Sequence, residues 1–247
     1  MSFLTNLVMF GWIPAIIFIF SYLGPQQAVV SCFIGAWLFL PEASFPIQGL
    51  PDYTKISATC YGILFAIVIY HGKPFRLFRA GFRWGWLDLL LIVPASVIYC
   101  AKHFNSFRLG WLDLPMIIWC LCPFASSMAN GLGWYDGLSA SLAQTVFWGG
   151  PYLLGRIYLN SLAGLKRLAI GIFIGGLIYV PLCLFEVRMS PQLHNIIYGY
   201  HPHSFAQTIR YGGFRPTVFM QHGLMVAMWM MAATLVGIWL WKTGVLR

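Results

Sequence analysis

Leu168-Ala-Ile-Gly-Ile-Phe-Ile-Gly-Gly-Leu-Ile-Tyr-Val-Pro-Leu-Cys-Leu-Phe185 contains no charged side chain; Lys166-Arg167 stands immediately before it and Glu186 immediately after. A helix needs ~20 apolar residues to cross the hydrocarbon core of a bilayer, and this run comes close to that length. Inside a bilayer every backbone polar group must be satisfied within the protein, so only helices and closed barrels span it. The apolar residues are continuous rather than alternating, which excludes a barrel strand. The run therefore predicts a membrane-crossing helix.

Similar runs extend in both directions. Upstream lie Leu4 to Leu23, broken by Gly24-Pro25-Gln26-Gln27, then Ala28 to Leu40 and Ile56 to Tyr70. Leu87 to Cys100 is short and carries Pro94; further runs follow, including Gly137 to Leu159. His222 to Trp241 is the last, closed by Lys242 and Arg247. The fold class expected is all-α: a polytopic transmembrane helical bundle of about seven or eight hydrophobic segments, with Leu87 to Cys100 the candidate re-entrant one. A single transmembrane domain spans residues 1–247, with a helical bundle over 1–185, a polar extracytoplasmic loop over 186–221, and the final helix and tail over 222–247. Met1 onward reads as mature protein, since no basic n-region or small-residue cleavage site opens it.

The whole composition agrees. Of 247 residues 60% are hydrophobic and 9% charged, against ~25% charged in a soluble domain. The net charge of +9 fits cationic loops holding helices on the cytoplasmic side, and no aromatic-basic pattern for nucleic acid is present. Lys73, Arg76, Arg79 and Arg83, with no acid among them, are the strongest cytoplasmic marker. Most of the six cysteines lie within apolar runs, as small core residues do. Cys120-Leu121-Cys122 lacks zinc-type spacing, and neither a metal, a cofactor nor a disulfide is expected.

Gly85-Trp-Leu-Asp-Leu89 recurs as Gly110-Trp-Leu-Asp-Leu114. In each copy the Trp suits a membrane interface and the Asp complements the positive end of a helix; a functional Asp is the alternative. Topology carries a conflict. Both Lys73–Arg83 and Lys166-Arg167 prefer the inside, yet three hydrophobic segments separate them, and an inside-to-inside path needs an even number.

Chemistry concentrates between Glu186 and His222. Four of the six histidines and three arginines fall there, with almost no acid. Arginine binds phosphate through a planar fork of donors and keeps its charge; histidine exchanges protons near neutrality. Arg210 and Arg215 flank Gly212-Gly213, where backbone can approach a ligand closely; a solvated loop charge is the plainer reading. Arg188 reads equally as an interface marker. His201-Pro-His203 has no neighbouring carboxylate or thiol to complete a metal site. His222 opens an apolar run, where it caps a helix or acts on a ligand. Arg156, ending Trp148 to Arg156, reads as a cytoplasmic anchor or as a second anion contact.

Arg215, Phe219 and His222 carry a resemblance. The stretch resembles the signature of the O-antigen ligase and polysaccharide polymerase superfamily, exopolysaccharide-polymerase-like members included. That signature has an arginine, a turn with Gly and Phe, and a His-Pro-Asn-like element opening the next membrane helix; this chain has Gly223 and Leu224 after the histidine. The resemblance covers about Trp111 to Trp241 and implies only the N-terminal half of such a protein, since members are nearly twice as long. It implies a multi-pass protein of the bacterial inner membrane that transfers a glycan from an undecaprenyl-pyrophosphate carrier to an acceptor sugar. If complete, it would be a metal-independent glycosyltransferase. Arg210, Arg215 and Arg188 would neutralise the pyrophosphate, His222 and Arg215 would be the catalytic pair, with His222 as general base, and His201, His203 and Arg156 would contact substrate. Its partners would be lipid-linked oligosaccharide, membrane lipid and other polysaccharide-assembly proteins, with no nucleic acid. Prolines inside several runs leave a transporter or flippase subunit as one rival, and a non-catalytic scaffold of a polysaccharide assembly complex as another.

Overall fold

A computed structural model describes residues 2–47, 50–71, 110–210 and 212–246. The basic loop Lys73 to Arg83, the Leu87 to Cys100 run and the first copy of the repeat lie outside the described residues.

Local sequence signals set the helix starts. In α1 (Phe3–Tyr22), Ser2 Oγ accepts the Thr5 N–H at 3.2 Å, a side-chain cap. In α2 (Pro25–Phe39) proline takes the first position, where a missing N–H does no harm. A short antiparallel hairpin follows, β1 (Phe45–Ile47) with β2 (Leu50–Tyr53). In α3 (Lys55–His71), Thr54 and Ser57 exchange side-chain and backbone hydrogen bonds as a capping box. After a turn at Trp111–Asp113 come α4 (Leu114–Ala129) and α5 (Trp134–Gln144). A wide helical turn at Thr145–Gly149 joins α5 to α6 (Gly150–Tyr158). The long α7 (Leu162–Met189) precedes the short α8 (Leu193–Tyr198) and a minimal hairpin, β3 (Ile209–Arg210) with β4 (Gly213–Phe214). The helix α9 (Gly223–Lys242) follows.

Four helical stretches are long and apolar enough to cross a membrane: α1, Trp111–Ala129, α7 and α9. Their outward surfaces are apolar as well; on α9, Leu224, Met228, Met231, Leu235 and Ile238 are all exposed. Seven or eight segments were expected. Among the described residues α2 and α3 are shorter, and the Gly137 to Leu159 run is interrupted at the wide turn. The two small hairpins amend the all-α expectation. The polar stretch also begins later than residue 186, because α7 continues to Met189.

Two apolar surfaces in lipid gain little hydrophobic energy by meeting, so close packing between small residues has to hold such helices together. Gly171 and Gly175 of α7 form that contact with α2: an added Cβ would strike Val30 and Ile34 at the first, and Ile34 and Leu38 at the second. On another side of α7, Gly176 meets Ala233 of α9, and Phe173 lies over Gly237. In this way α7 is pinned between α2 and α9.

The helices place two kinds of loop at opposite ends. At one end Arg167, opening α7, hydrogen-bonds Gln26 at the start of α2 at 2.5 Å. Tyr158 and Leu154 of α6 pack there with Phe20, Ala28, Ala66 and Ile67. Asp113, just before α4, bonds Tyr152 and Arg156 of α6, so α4 starts at the end where α3 finishes. The described helices α4 and α5–α6 therefore run out and back against each other, so that α6 ends where α4 begins. The opposite end gathers the starts of α1, α3 and α9, the finish of α7, α8 and both hairpins; we call it the hairpin end.

Candidate functional site at the hairpin end

The site is built on Glu186, the acid that follows the uncharged run. It lies in the last turns of α7, fully buried. Its Oε2 accepts the N–H groups of Thr217 and Val218, both at 2.7 Å, and its Oε1 accepts the N–H of Leu193 at 3.0 Å. Two turns back, Tyr179 accepts the Phe219 N–H at its hydroxyl oxygen, at 3.1 Å. Three successive backbone donors ahead of α9, plus the first donor of α8, are thereby tied to α7. Val218 sits at φ 50°, a left-handed conformation rare for a β-branched residue. Such backbone costs about 1–3 kcal/mol and persists only where surroundings enforce it. Here the carboxylate enforces it, while Val218 itself is buried among Leu38, Tyr179 and Val226.

The clamped turn aims the residues on either side of it. Arg215 precedes it; its backbone N–H bonds the Thr208 carbonyl at 2.8 Å, and its Cγ and Cδ lie where a methyl group on Gly223 would be. Glycine is required there so that the arginine stem can cross the start of α9. His222 follows the turn and caps α9: its Nδ1 accepts the Met225 N–H at 3.4 Å. A ring nitrogen that accepts carries no proton, so neutral His222 holds its hydrogen on Nε2 and presents a donor. The His203 ring stands perpendicular to that of His222, with centroids 6.3 Å apart. Arg215, His203 and His222 are all half-buried; His203 faces His222, and the Arg215 stem crosses Gly223, the residue that follows His222.

Other expected residues stand apart. Arg210 is exposed on β3, opposite Gly213. His201 is exposed with its ring 5.5 Å from that of Phe205. Arg188 is exposed on the last turn of α7; two residues along a helix turn ~200°, so it leaves the face on which Glu186 meets the clamped turn. Arg156 lies at the far end of the bundle. Its Nε and Nη2 engage Asp113 Oδ1 and Oδ2 at 2.9 and 3.1 Å, a bidentate pair. The carboxylate also accepts the Tyr152 hydroxyl at 2.5 Å and the Gly110 N–H at 2.7 Å. The aspartate of the second repeat copy thus opens a helix, as its position suggested, and also ties α4 to α6.

A second polar cluster at the hairpin end escaped the sequence reading. His194 of α8 is buried; its Nδ1–H donates to the Tyr200 carbonyl at 2.9 Å and its Nε2 accepts the Glu42 N–H at 3.3 Å. Burial lowers its pKa, which favours the neutral ring this pairing needs. The Tyr198 hydroxyl donates to the Phe39 carbonyl at 2.6 Å, and the Tyr200 hydroxyl to that of Glu42 at 2.9 Å. Both phenols are pushed up to about 12 by burial, so they remain donors. Lys55 pairs with Glu42 at 2.5 Å and lies 3.4 Å from the Trp37 carbonyl. The carbonyls left over where α2 ends are thereby met by side chains from α3 and the α8 region. The signals that could have found this cluster are Glu186, a lone acid after a long apolar run, and His194, seven residues before His201 in a stretch of little charge. Among the described residues no three His, Cys, Asp or Glu side chains gather as metal ligands would. Comparison with family models, with curated proteins and with solved structures finds no match to this chain.

Proposed function

We propose that this chain is a multi-pass protein of the bacterial inner membrane whose hairpin end faces outward and binds the pyrophosphate of an undecaprenyl-linked glycan, for transfer of that glycan to an acceptor sugar. The carrying observation is that Arg215 is laid across Gly223 beside His222, on a turn fixed by a buried carboxylate. The orientation rests on Lys166, Arg167 and Lys242 at the opposite end, and on the four cations that follow α3 in sequence, by the positive-inside rule. The Arg215 guanidinium supplies charge, and the Nε2–H of His222 supplies a neutral donor to a phosphate or leaving oxygen. For His222 to accept a proton instead, as the resemblance implies, the ring would have to give up its cap on Met225 or bind in its other tautomer. Arg210, exposed on the neighbouring hairpin, is placed to steer an anion rather than to clasp it.

The test uses the full chain, purified and reconstituted in lipid. Undecaprenyl pyrophosphate should bind, Arg215→Ala should weaken it at least about tenfold, a loss of ~1.4 kcal/mol, and Arg215→Lys should restore part. A thiol at Gln221→Cys should react with an impermeant reagent added outside. Equal binding by Arg215→Ala, or labelling of residue 221 from the inside only, would sink the proposal. Transfer of glycan lost in both Arg215→Ala and His222→Ala would extend binding to catalysis.

A further inference from the structure

A cleft of about 400 Å³ lies between β2, the start of α3, α4 and α5, with Pro51, Asp52, Ser57, Pro123, Gln144 and Phe147 among its lining residues. Its size is within the ~300–1,000 Å³ of small-molecule sites. The lining has a chemical bias: among the described residues it offers one carboxylate, hydroxyls, an amide and an aromatic ring and no cationic side chain. In this it differs from the Arg215–His222 surface.

The polar groups divide into used and unused. Thr54 and Ser57 spend their hydroxyls on each other's backbone at the start of α3. Asp52 Oδ2 accepts the Ser44 hydroxyl at 2.7 Å, which fixes the carboxylate, while no donor among the described residues engages Oδ1. The Gln144 amide, half-buried, likewise has no hydrogen-bond partner among the described residues. Phe147 is 40% exposed in the cleft wall.

The helix itself is altered at this point. Pro151 has no N–H and its ring crowds the carbonyl four residues back, that of Phe147. The preceding turn widens: the Gly150 N–H reaches the Thr145 carbonyl, five residues back. Wide turns of this kind are rare and recur at functional positions. This one begins directly after Gln144 and contains Phe147.

We infer that the cleft binds the ring of an uncharged sugar, with Phe147 as the stacking face and Asp52 and Gln144 as partners for ring hydroxyls. A pyranose presents a face of C–H bonds, slightly positive, to the negative face of an aromatic ring. Its vicinal hydroxyls both donate and accept, which a fixed carboxylate and an amide satisfy together. The site stands on its own lining and does not depend on the Arg215–His222 reading. If both hold, one end of the bundle has an anion site and a neutral-sugar site, as a transfer between a carrier-linked glycan and an acceptor demands.

Saturation-transfer NMR on the full-length protein in detergent tests this with the methyl glycosides of glucose, galactose, mannose and N-acetylglucosamine. At least one should show transfer to its ring protons. Phe147→Leu and Gln144→Ala should each weaken that glycoside about tenfold, the size of one well-made hydrogen bond or stacking contact. Arg215→Ala should leave it unchanged. Asp52→Asn, at an exposed position, provides the same reading should either helix variant melt early. Absence of transfer for all four glycosides overturns the inference. So does transfer indifferent to these substitutions, or displacement of the sugar by millimolar ethanolamine, which would mark an ammonium site instead.

Discussion

His194 and His222 belong to the same polar stretch and both bond backbone, yet they do opposite things. His194 is fully enclosed, with each ring nitrogen committed: one to the Tyr200 carbonyl, the other to the Glu42 N–H. His222 commits only Nδ1, as a helix cap, and stands half-buried beside Arg215 and His203. The same division separates Glu186 from Arg215. The acid has its oxygens filled by backbone donors; the arginine uses its stem for packing against Gly223 and is only half-buried. A buried polar group has to be satisfied by the protein itself, and a satisfied group has nothing left for a ligand. The enclosed cluster is the jig, and the half-buried one is what the jig holds.

The strongest way to break this comparison is to remove the jig. Glu186→Ala would leave three backbone N–H groups buried without acceptors, at about 3–5 kcal/mol. Thermal melting in detergent should fall sharply, and binding at Arg215 should fail with it. Glu186→Gln, which keeps an accepting oxygen, should lose roughly half as much. A Glu186→Ala protein that melts like the parent would remove the structural basis of the site.

Next comes His194→Phe, which deletes two hydrogen bonds in a closed space, at about 2–4 kcal/mol. It should also change the response to acid. Glu42, Lys55 and His201 are the charged or titratable groups whose fields reach His194. Its folded-state pKa lies below the ordinary 6.5, so below that pH the unfolded chain takes up a proton that the folded chain refuses. Stability from this residue is therefore complete above about pH 6.5 and drains away as pH falls further. Melting temperature should drop as the pH is lowered from 7 to 5, and the slope should flatten in His194→Phe. An unchanged slope would show that another group carries the pH response.

Gly223→Ala is a smaller perturbation of the fold and a direct one of the site. The new methyl would occupy the place of the Arg215 stem, so anion binding should weaken as in Arg215→Ala although every charge is kept. The least disruptive change is His222→Asn. Asparagine is a good helix cap, so stability should stay within ~0.5 kcal/mol while the Nε2 donor is lost. Melting and undecaprenyl-pyrophosphate titration of this variant, side by side, separate the two uses of the ring.

Helix placement was legible because the bilayer imposes one rule on every segment. The run Leu168 to Phe185 falls inside α7, Leu4 to Leu23 coincides with α1 within a residue at each end, and His222 does begin the last helix. Turn chemistry was legible in the same way at Gly24-Pro25. Of the site, the adjacency of Arg215 and His222 follows from seven residues of separation and one turn, and the sequence pointed to both. The sequence left Arg156 and Arg188 unplaced, since a cation count carries no information about which helix face or which end of the bundle a residue occupies. Glu186 marks the start of the polar stretch in sequence, yet the helix continues past it for three residues, held by bonds from distant segments.

The sequence by itself determined that this protein is a set of apolar helices with cationic connections, and that four of its six histidines and three arginines gather between Glu186 and His222. Both follow from local quantities, the length of uncharged runs and the density of polar side chains. Only the tertiary structure decided which polar residues are scaffold and which remain open to a ligand. That depends on whether backbone donors from α8 and from the turn before α9 come within hydrogen-bonding reach of a side chain on α7. It likewise took the meeting of β2, α4 and α5 to turn Asp52, Gln144 and Phe147, unremarkable when read along the chain, into the walls of one cleft.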